Sequence, residues 1–100
     1  MATFLSEDLN EREVVAEKSA RLNGYMFKST GTRDRYVEFF SGNTRVSLIV
    51  VDAGGETSIT GLNEPYPDGI AVESRRGDGT LVANVFYEPS PIMVELNAEG

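Results

Sequence analysis

The sequence contains no histidine and no cysteine, and the two absences exclude much of the chemistry open to a small protein. Histidine is the usual general base, the commonest metal ligand and the partner of most serine and cysteine nucleophiles. Without cysteine there is no disulfide framework, no thiolate zinc site and no cysteine nucleophile. The composition therefore predicts a protein that is not an enzyme and that uses no cofactor or metal.

Long apolar segments are also missing. The longest apolar run, Leu48 to Val51, is far too short to span a bilayer, and Met1 to Asn10 have neither the basic start nor the apolar core of a signal peptide. We therefore expect a soluble protein without a transmembrane segment, located in the cytoplasm or within a virus particle.

Basic residues are scarce and unevenly placed. Nine Lys and Arg residues stand against sixteen Asp and Glu, which gives a net charge of −7. This charge repels phosphate backbones and anionic lipid surfaces, so neither nucleic acid nor a membrane is an expected partner. Residues 25–50 are nevertheless locally basic, whereas residues 51–74 contain five acids and no base.

The chain length favours a single domain. One hundred residues cannot supply two separate cores, and 40% hydrophobic residues suffice for one. Within this domain we expect an N-terminal helix or arm over residues 1–24 and a β domain over residues 25–100.

The N-terminal helix is predicted from its capping residues and charge order. It would begin at Glu7 or Glu11, after Ser6 or Asn10 as the N-cap, and end at Leu22. Acids come first and bases later, as the helix dipole favours. The alternative for this segment is an extended arm.

The rest of the chain shows the alternation and turn signals of β-strands. A first hairpin is predicted from strands 35–40 and 45–51 around a loop at 41–44, and a second from strands 70–75 and 80–87 around a turn at 76–79. Further strands are predicted at 25–29 and 92–96, and a short one at 57–62. The predicted fold is α+β and mainly β, with an antiparallel sheet of five or six strands and one helix; the alternative is a small all-β sandwich or barrel.

The first hairpin provides the main candidate site. A loop at 41–44 places Val37 opposite Leu48 and leaves a second, largely apolar face. An N-terminal helix or another molecule must cover that face. Arginine among aromatic residues is typical of interface hot spots. The predicted interface residues are Tyr36, Phe40, Arg45, Ile49 and Val51.

A second candidate site is acidic. The turn-rich part of the chain after residue 51 contributes a possible acidic binding loop of Asp52, Glu56, Glu64, Tyr66, Asp68 and Glu73.

Two functions follow from these two surfaces. The first is a structural or assembly subunit, for example of a virus particle, that contacts a protein partner or forms a homo-oligomer through the apolar face. The alternative is an acidic inhibitor that occupies a basic groove of an enzyme or nucleic-acid complex.

Overall fold

Residues 2–90 are described by a computed structural model, and every helix or strand in this range is a β-strand. The strands are β1 (Ala2–Ser6), β2 (Arg12–Ala16), β3 (Ala20–Ser29), β4 (Arg35–Ser41), β5 (Thr44–Val51), β6 (Glu56–Ile59), β7 (Glu64–Tyr66), β8 (Ile70–Ser74) and β9 (Leu81–Pro89). They form two antiparallel sheets. Sheet A has the order β1-β9-β3-β6, with β7 also paired to β3, and sheet B has the order β2-β8-β4-β5.

The topology is that of one long hairpin rolled into two layers. The chain reverses between β4 and β5, and earlier strands then pair with later ones: β3 with β6 and β7, β2 with β8, and β1 with β9. Two further pairings, β3 with β9 and β4 with β8, roll this ladder into facing sheets. Strands β6 and β7 both pair with β3 and together fill one edge position, so each sheet has four strand positions. Two facing four-stranded sheets rolled from one long hairpin form a jelly roll.

The core lies between the two sheets, where one side of each strand turns inward. Its centre is a set of four aromatic rings, with centroid distances of 5.1 to 6.5 Å between the contacting pairs. Phe39 of β4 contacts all three of the others, Tyr25, Phe27 and Tyr66. Aliphatic side chains surround these rings, and among the fully buried ones are Leu22, Val37, Val51, Ile70, Val72, Leu81 and Val85.

The predicted α+β fold is wrong, because residues 2–90 form nine strands and contain no helix. The predicted helix, from Glu7 or Glu11 to Leu22, instead spans β2 and the start of β3, and β1 precedes it. Burial in β3 alternates strictly from Ala20 to Gly24, which is the period of a strand. The predicted capping residue Ser6 instead donates a hydrogen bond from Oγ to Glu13 Oε2 at 2.7 Å. Cross-strand pairing outweighs the capping and charge signals here. Residues 2–90 are thus all-β, the class that the alternative prediction named.

The first hairpin is confirmed, but its predicted register is wrong beyond the first pairs. The strands reverse through a two-residue turn, Gly42 and Asn43, with Ser41 paired to Thr44. Phe40 is opposite Arg45, but Phe39 is opposite Ser47, so Val46 is an extra residue in a β-bulge. Val37 is therefore opposite Ile49, and its predicted pairing with Leu48 is wrong. A shift of one residue reverses every later side chain in β5. Ile49 and Val51 therefore point into the core, and Leu48 and Val50 point outward.

The predicted pairing of the two strands of the second hairpin is wrong. Both strands exist, and Val72 and Val85 lie on the buried face as the alternation predicted. However, β8 pairs with β2 and β4 in sheet B, whereas β9 pairs with β1 and β3 in sheet A. The segment from Arg75 to Thr80 is thus a crossover between the two sheets. Alternation defines the buried face of a strand but not its partner. The predicted strand at 92–96 lies outside the described residues.

Candidate docking surface

The outer face of the β4–β5 hairpin carries a group of exposed apolar side chains. We define the docking patch as Tyr36, Val46, Leu48 and Val50, whose exposed fractions are 56%, 44%, 49% and 44%. Tyr36 lies directly opposite Val50 in the ladder. Large apolar side chains grouped on a surface are typical of a protein contact site, whereas single ones are common and carry no such meaning.

The strand that carries most of the patch is also a sheet edge. Within residues 2–90, β5 pairs only with β4, so one side of its backbone has no strand partner. Its eight residues include a single charged one, Arg45. Natural proteins usually protect edge strands with charges, prolines or covering loops, because a bare edge is a template for another chain. The β5 edge has little of this protection.

Charged residues cover the remainder of the outer face of sheet B. Arg45 Nη1 lies 3.2 Å from Glu38 Oε2, and Arg12 Nη1 lies 3.9 Å from Glu73 Oε1. The Arg12 guanidinium also stacks over the Phe40 ring, with 4.4 Å from its Cζ atom to the ring centroid. Phe40 is thereby partly covered by its own chain, and the exposed apolar side chains of this face are the docking patch and, at the opposite edge of the sheet, Val14 of β2.

A groove of about 870 Å³ begins where the docking patch ends. Strand β8 leaves sheet B after Ser74, which pairs with Val37, so the first two residues of β4 have no β8 residue beside them. Tyr36 and Leu48 of the patch also line this groove. We call it the arginine groove, because its lining includes Arg33, Arg35, Arg45, Arg75 and Arg76.

Arg35 is the buried member of this group. It is 4% exposed, and its Nη2 donates to the backbone oxygens of Leu9 and Arg75 at 2.8 and 2.9 Å. Its Nε and Nη1 atoms are buried and have no hydrogen-bond partner within residues 2–90. Gly77 packs against it so closely that a Cβ there would lie 2.9 Å from Arg35 Cδ. Arg35 thus ties two loops together while part of its guanidinium lacks a partner.

Three carboxylates, Asp34, Glu38 and Asp78, also line the arginine groove, and each has a partner within its own chain. Asp78 accepts hydrogen bonds from the hydroxyl and the backbone N–H of Thr32, and these bonds lower the pKa of Asp78 below its usual value. Asp34 accepts one from the backbone N–H of Ala53 at 3.0 Å. Both side chains hold loops in place, so neither is oriented to pair with Arg75 or Arg76.

The structure places the five predicted interface residues on two sides of sheet B. Tyr36 and Arg45 are exposed on the outer face, and Phe40 lies there beneath Arg12. Ile49 packs against the core, and Val51 is fully buried. Sequence reasoning placed Val46, Leu48 and Val50 on the other face. A two-residue turn at Gly42-Asn43, for which Gly-Asn is a known signal, leaves the predicted register unchanged, so the bulge at Val46 alone reverses the faces.

The six residues of the predicted acidic loop are dispersed. Asp68 lies beside the β4–β5 turn, where its backbone N–H donates to Ser41 Oγ at 3.1 Å. Asp52 follows β5 at the opposite end of β4, about 20 Å away at the usual rise per strand residue. Glu73 lies on sheet B near Arg12, and Tyr66 is fully buried. Glu56 and Glu64 are exposed on the β6–β7 edge of sheet A. No single loop presents the set.

Tyr66 leads to a testable pH dependence. Burial, followed by the nearby charge of Glu64, raises its pKa from 10.0 to about 12. The folded state therefore keeps a proton that the unfolded state loses above pH 10. We expect the free energy of unfolding to be insensitive to this group below pH 10 and to fall by about 2–3 kcal/mol between pH 10 and 12.

The control for this pH dependence is Tyr66→Phe, measured by urea denaturation at several pH values. The buried hydroxyl has no hydrogen-bond partner within residues 2–90, so its removal should change stability at pH 7 by less than about 1 kcal/mol. The variant should lose stability less steeply above pH 10. An identical alkaline slope in both proteins would contradict the assignment to Tyr66.

The described residues contain no metal-binding cluster and no membrane-spanning helix. No group of three or more Asp and Glu side chains in residues 2–90 is arranged to hold a metal ion. Nor does this range contain a helix long and apolar enough to cross a bilayer.

Comparison with known proteins identifies a fold but no family. No protein-family model matches the chain, and no curated protein matches it in sequence. Among solved structures, the chain is similar to the crystal structure of PirA, with 10% identity and a TM-score of 0.51 over 86% of this chain and 93% of that one. It is also similar to a structure of Bacillus endospore appendages, described as a family of disulfide-linked pili, with 18% identity and a TM-score of 0.50 over 88% of this chain and 83% of that one. At these identities the likeness shows the fold alone.

Proposed function

We propose that this chain is a non-enzymatic structural or assembly subunit that contacts a second copy of itself through the docking patch. The observation that carries the proposal is the coincidence of the patch with the β5 edge: four exposed apolar side chains lie on or beside a strand whose outer backbone is unpaired within residues 2–90. A second copy can cover both features at once, by adding a strand and burying the side chains next to it.

The docking patch has the size expected of the centre of a protein–protein interface. Burying apolar surface contributes about 25 cal/mol per Å², and stable interfaces bury roughly 1,200–2,000 Å² in total. The patch alone is smaller than that, so it would form the apolar centre of a larger contact. Arg45 and Glu38, which border it, would then lie at a polar rim of the kind that such interfaces have.

Proteins of this fold include one that assembles into fibres. The Bacillus endospore appendages, similar to this chain in fold, form disulfide-linked pili. The present 100 residues contain no cysteine, so an assembly of these residues cannot be linked by disulfides. A role inside a virus particle belongs to the same class of function. In both settings the subunit would act through its contacts with other subunits and would need no catalytic site.

The test is a charge placed in the docking patch. We expect Leu48→Glu to weaken self-association at least about tenfold, because it buries an unpaired carboxylate in the apolar centre of the contact. Sedimentation-velocity ultracentrifugation over a range of protein concentrations measures the effect.

The matched control is Leu5→Glu. Leu5 is 58% exposed on β1, at the far edge of sheet A, so the same substitution there leaves the patch unchanged. Leu5→Glu should associate like the wild type. A wild-type chain that stays monomeric at every concentration would overturn the proposed function, as would equal effects of the two substitutions.

A further inference from the structure

The arginine groove contains positive charge that its own chain leaves without partners. Within residues 2–90, the ion pairs closer than 4.0 Å are Arg12 with Glu73 and Arg45 with Glu38. Arg33 lies near enough to Asp78 to lower the pKa of that carboxyl, whereas the side chains of Arg35, Arg75 and Arg76 are without a carboxylate partner in this range. Three such cations around one groove are unexpected in a molecule of net charge −7.

Arg35 shows that the groove is a built feature. A buried guanidinium normally has its N–H groups satisfied, because an unpaired buried charge is costly. Here only Nη2 is satisfied, while Nε and Nη1 have no partner. The charge of Arg35 adds to the positive field that an anion in the groove would meet, while its unpaired N–H groups stay buried beneath the surface.

The lining of the groove also selects among anions. Its floor includes Tyr36 and Leu48, which belong to the docking patch, so the groove and the patch form one continuous surface. A peptide with carboxylate side chains can contact both the arginines and this apolar floor. The phosphate groups of a nucleic-acid backbone would use the arginines alone and leave this apolar lining uncovered.

We infer that the arginine groove binds the acidic stretch of a second copy of this chain, residues 51–69. This stretch contains four acids, Asp52, Glu56, Glu64 and Asp68, all exposed, and no Lys or Arg. In the folded copy, Glu56 and Glu64 lie on the exposed β6–β7 edge of sheet A and are the acids that face the groove, whereas Asp52 and Asp68 lie at opposite ends of β4. The inference rests on the proposed assembly function and specifies the charged half of the contact. Arginine is among the residues that contribute most at such interfaces.

The first experiment removes the two exposed arginines. We expect Arg75→Gln/Arg76→Gln to weaken self-association at least about tenfold in ultracentrifugation. Lys18→Gln is the control for the single variants Arg75→Gln and Arg76→Gln, because it removes one exposed charge elsewhere and gives the same net charge. Salt dependence alone is not diagnostic, since salt screens both the local attraction and the repulsion between two chains of net charge −7.

The second experiment measures the contact directly. A fluorescein-labelled peptide of residues 51–69 should bind the wild-type chain in fluorescence anisotropy, and should bind Arg75→Gln/Arg76→Gln at least about tenfold more weakly. A peptide with its four acids changed to the corresponding amides should also lose binding. Binding of labelled oligothymidylate in place of the peptide would overturn the inference in favour of nucleic acid.

The outcomes separate this inference from the proposed function. If Leu48→Glu disrupts association and Arg75→Gln/Arg76→Gln does not, the groove inference fails and the assembly function stands. If the wild-type chain never associates and the peptide does not bind, both fail. Thermal melts check that the arginine variants stay folded, as expected for exposed side chains, because Arg35 bonds only the backbone oxygen of Arg75.

Discussion

Phe39→Ala is expected to destabilise the protein by about 3–5 kcal/mol, the range for truncating a large aromatic side chain in a core. Phe39 is fully buried and contacts three other aromatic rings, so its loss leaves a cavity bounded by both sheets. Domains of this size have a total stability of about 5–15 kcal/mol, so the variant would lose a large share of it. The expected fall in melting temperature is roughly 15–30 °C.

Phe39→Leu is the graded control for this substitution. Leucine refills much of the cavity but loses the edge-on contacts with Phe27 and Tyr66, so its effect should be clearly smaller than that of alanine. Urea denaturation followed by tyrosine fluorescence and circular dichroism measures both variants. A loss below about 1 kcal/mol for Phe39→Ala would mean that the aromatic centre of the core is misplaced.

Gly69→Ala is expected to cost at least about 3 kcal/mol for two separate reasons. Gly69 has φ of +90°, a conformation that costs an L-residue about 1–2 kcal/mol. An added Cβ would also lie 2.4 Å from the backbone oxygen of Ala16, so the turn between β2 and β3 would have to move. This turn and the one before β8 pack directly on each other, so the strain reaches the β2–β8 pairing.

Gly61→Ala separates the two causes. Gly61 also has positive φ, at +77°, but an added Cβ there meets nothing within 4 Å. It should cost about 1 kcal/mol, the conformational part alone. Thermal denaturation of the two variants side by side gives the comparison. Equal losses would show that the close approach to Ala16 contributes nothing.

Sequence reasoning placed most strands after residue 24 close to their observed positions, because alternation and turn residues are local signals. The pairing of strands is not local. Nothing between Ile70 and Tyr87 distinguishes a hairpin from two strands that belong to different sheets, since both arrangements bury the same side of each strand. The N-terminal segment failed for a related reason. Its caps and charge order are helix signals, but its strands β1 and β2 gain their stability from partners about 55 to 85 residues away, such as Glu73 and Tyr87.

The prediction of the candidate site failed because of a single residue, Val46. The apolar character of residues 45–51 was evident from the sequence, but the bulge at Val46 determines which of these side chains reach solvent. As a result, Leu48 and Val50 are exposed and Ile49 and Val51 point toward the core, which reverses the prediction. The arginine groove was beyond reach for another reason: Arg35 and Arg76 lie about 40 residues apart in sequence, and a crossover between sheets brings them together.

The rolled topology also limits the order in which the strands can form. Within residues 2–90, β4 and β5 are the only strands that follow one another in the chain and also pair with each other. Every other pairing closes a longer loop, up to the one that joins Ala2 to Tyr87, and the entropy lost on closure grows with loop length. We therefore expect the strands to pair in order outward from the turn between β4 and β5. Within residues 2–90, β1 pairs only with β9, the last strand described, so β1 cannot join its sheet until β9 is in place.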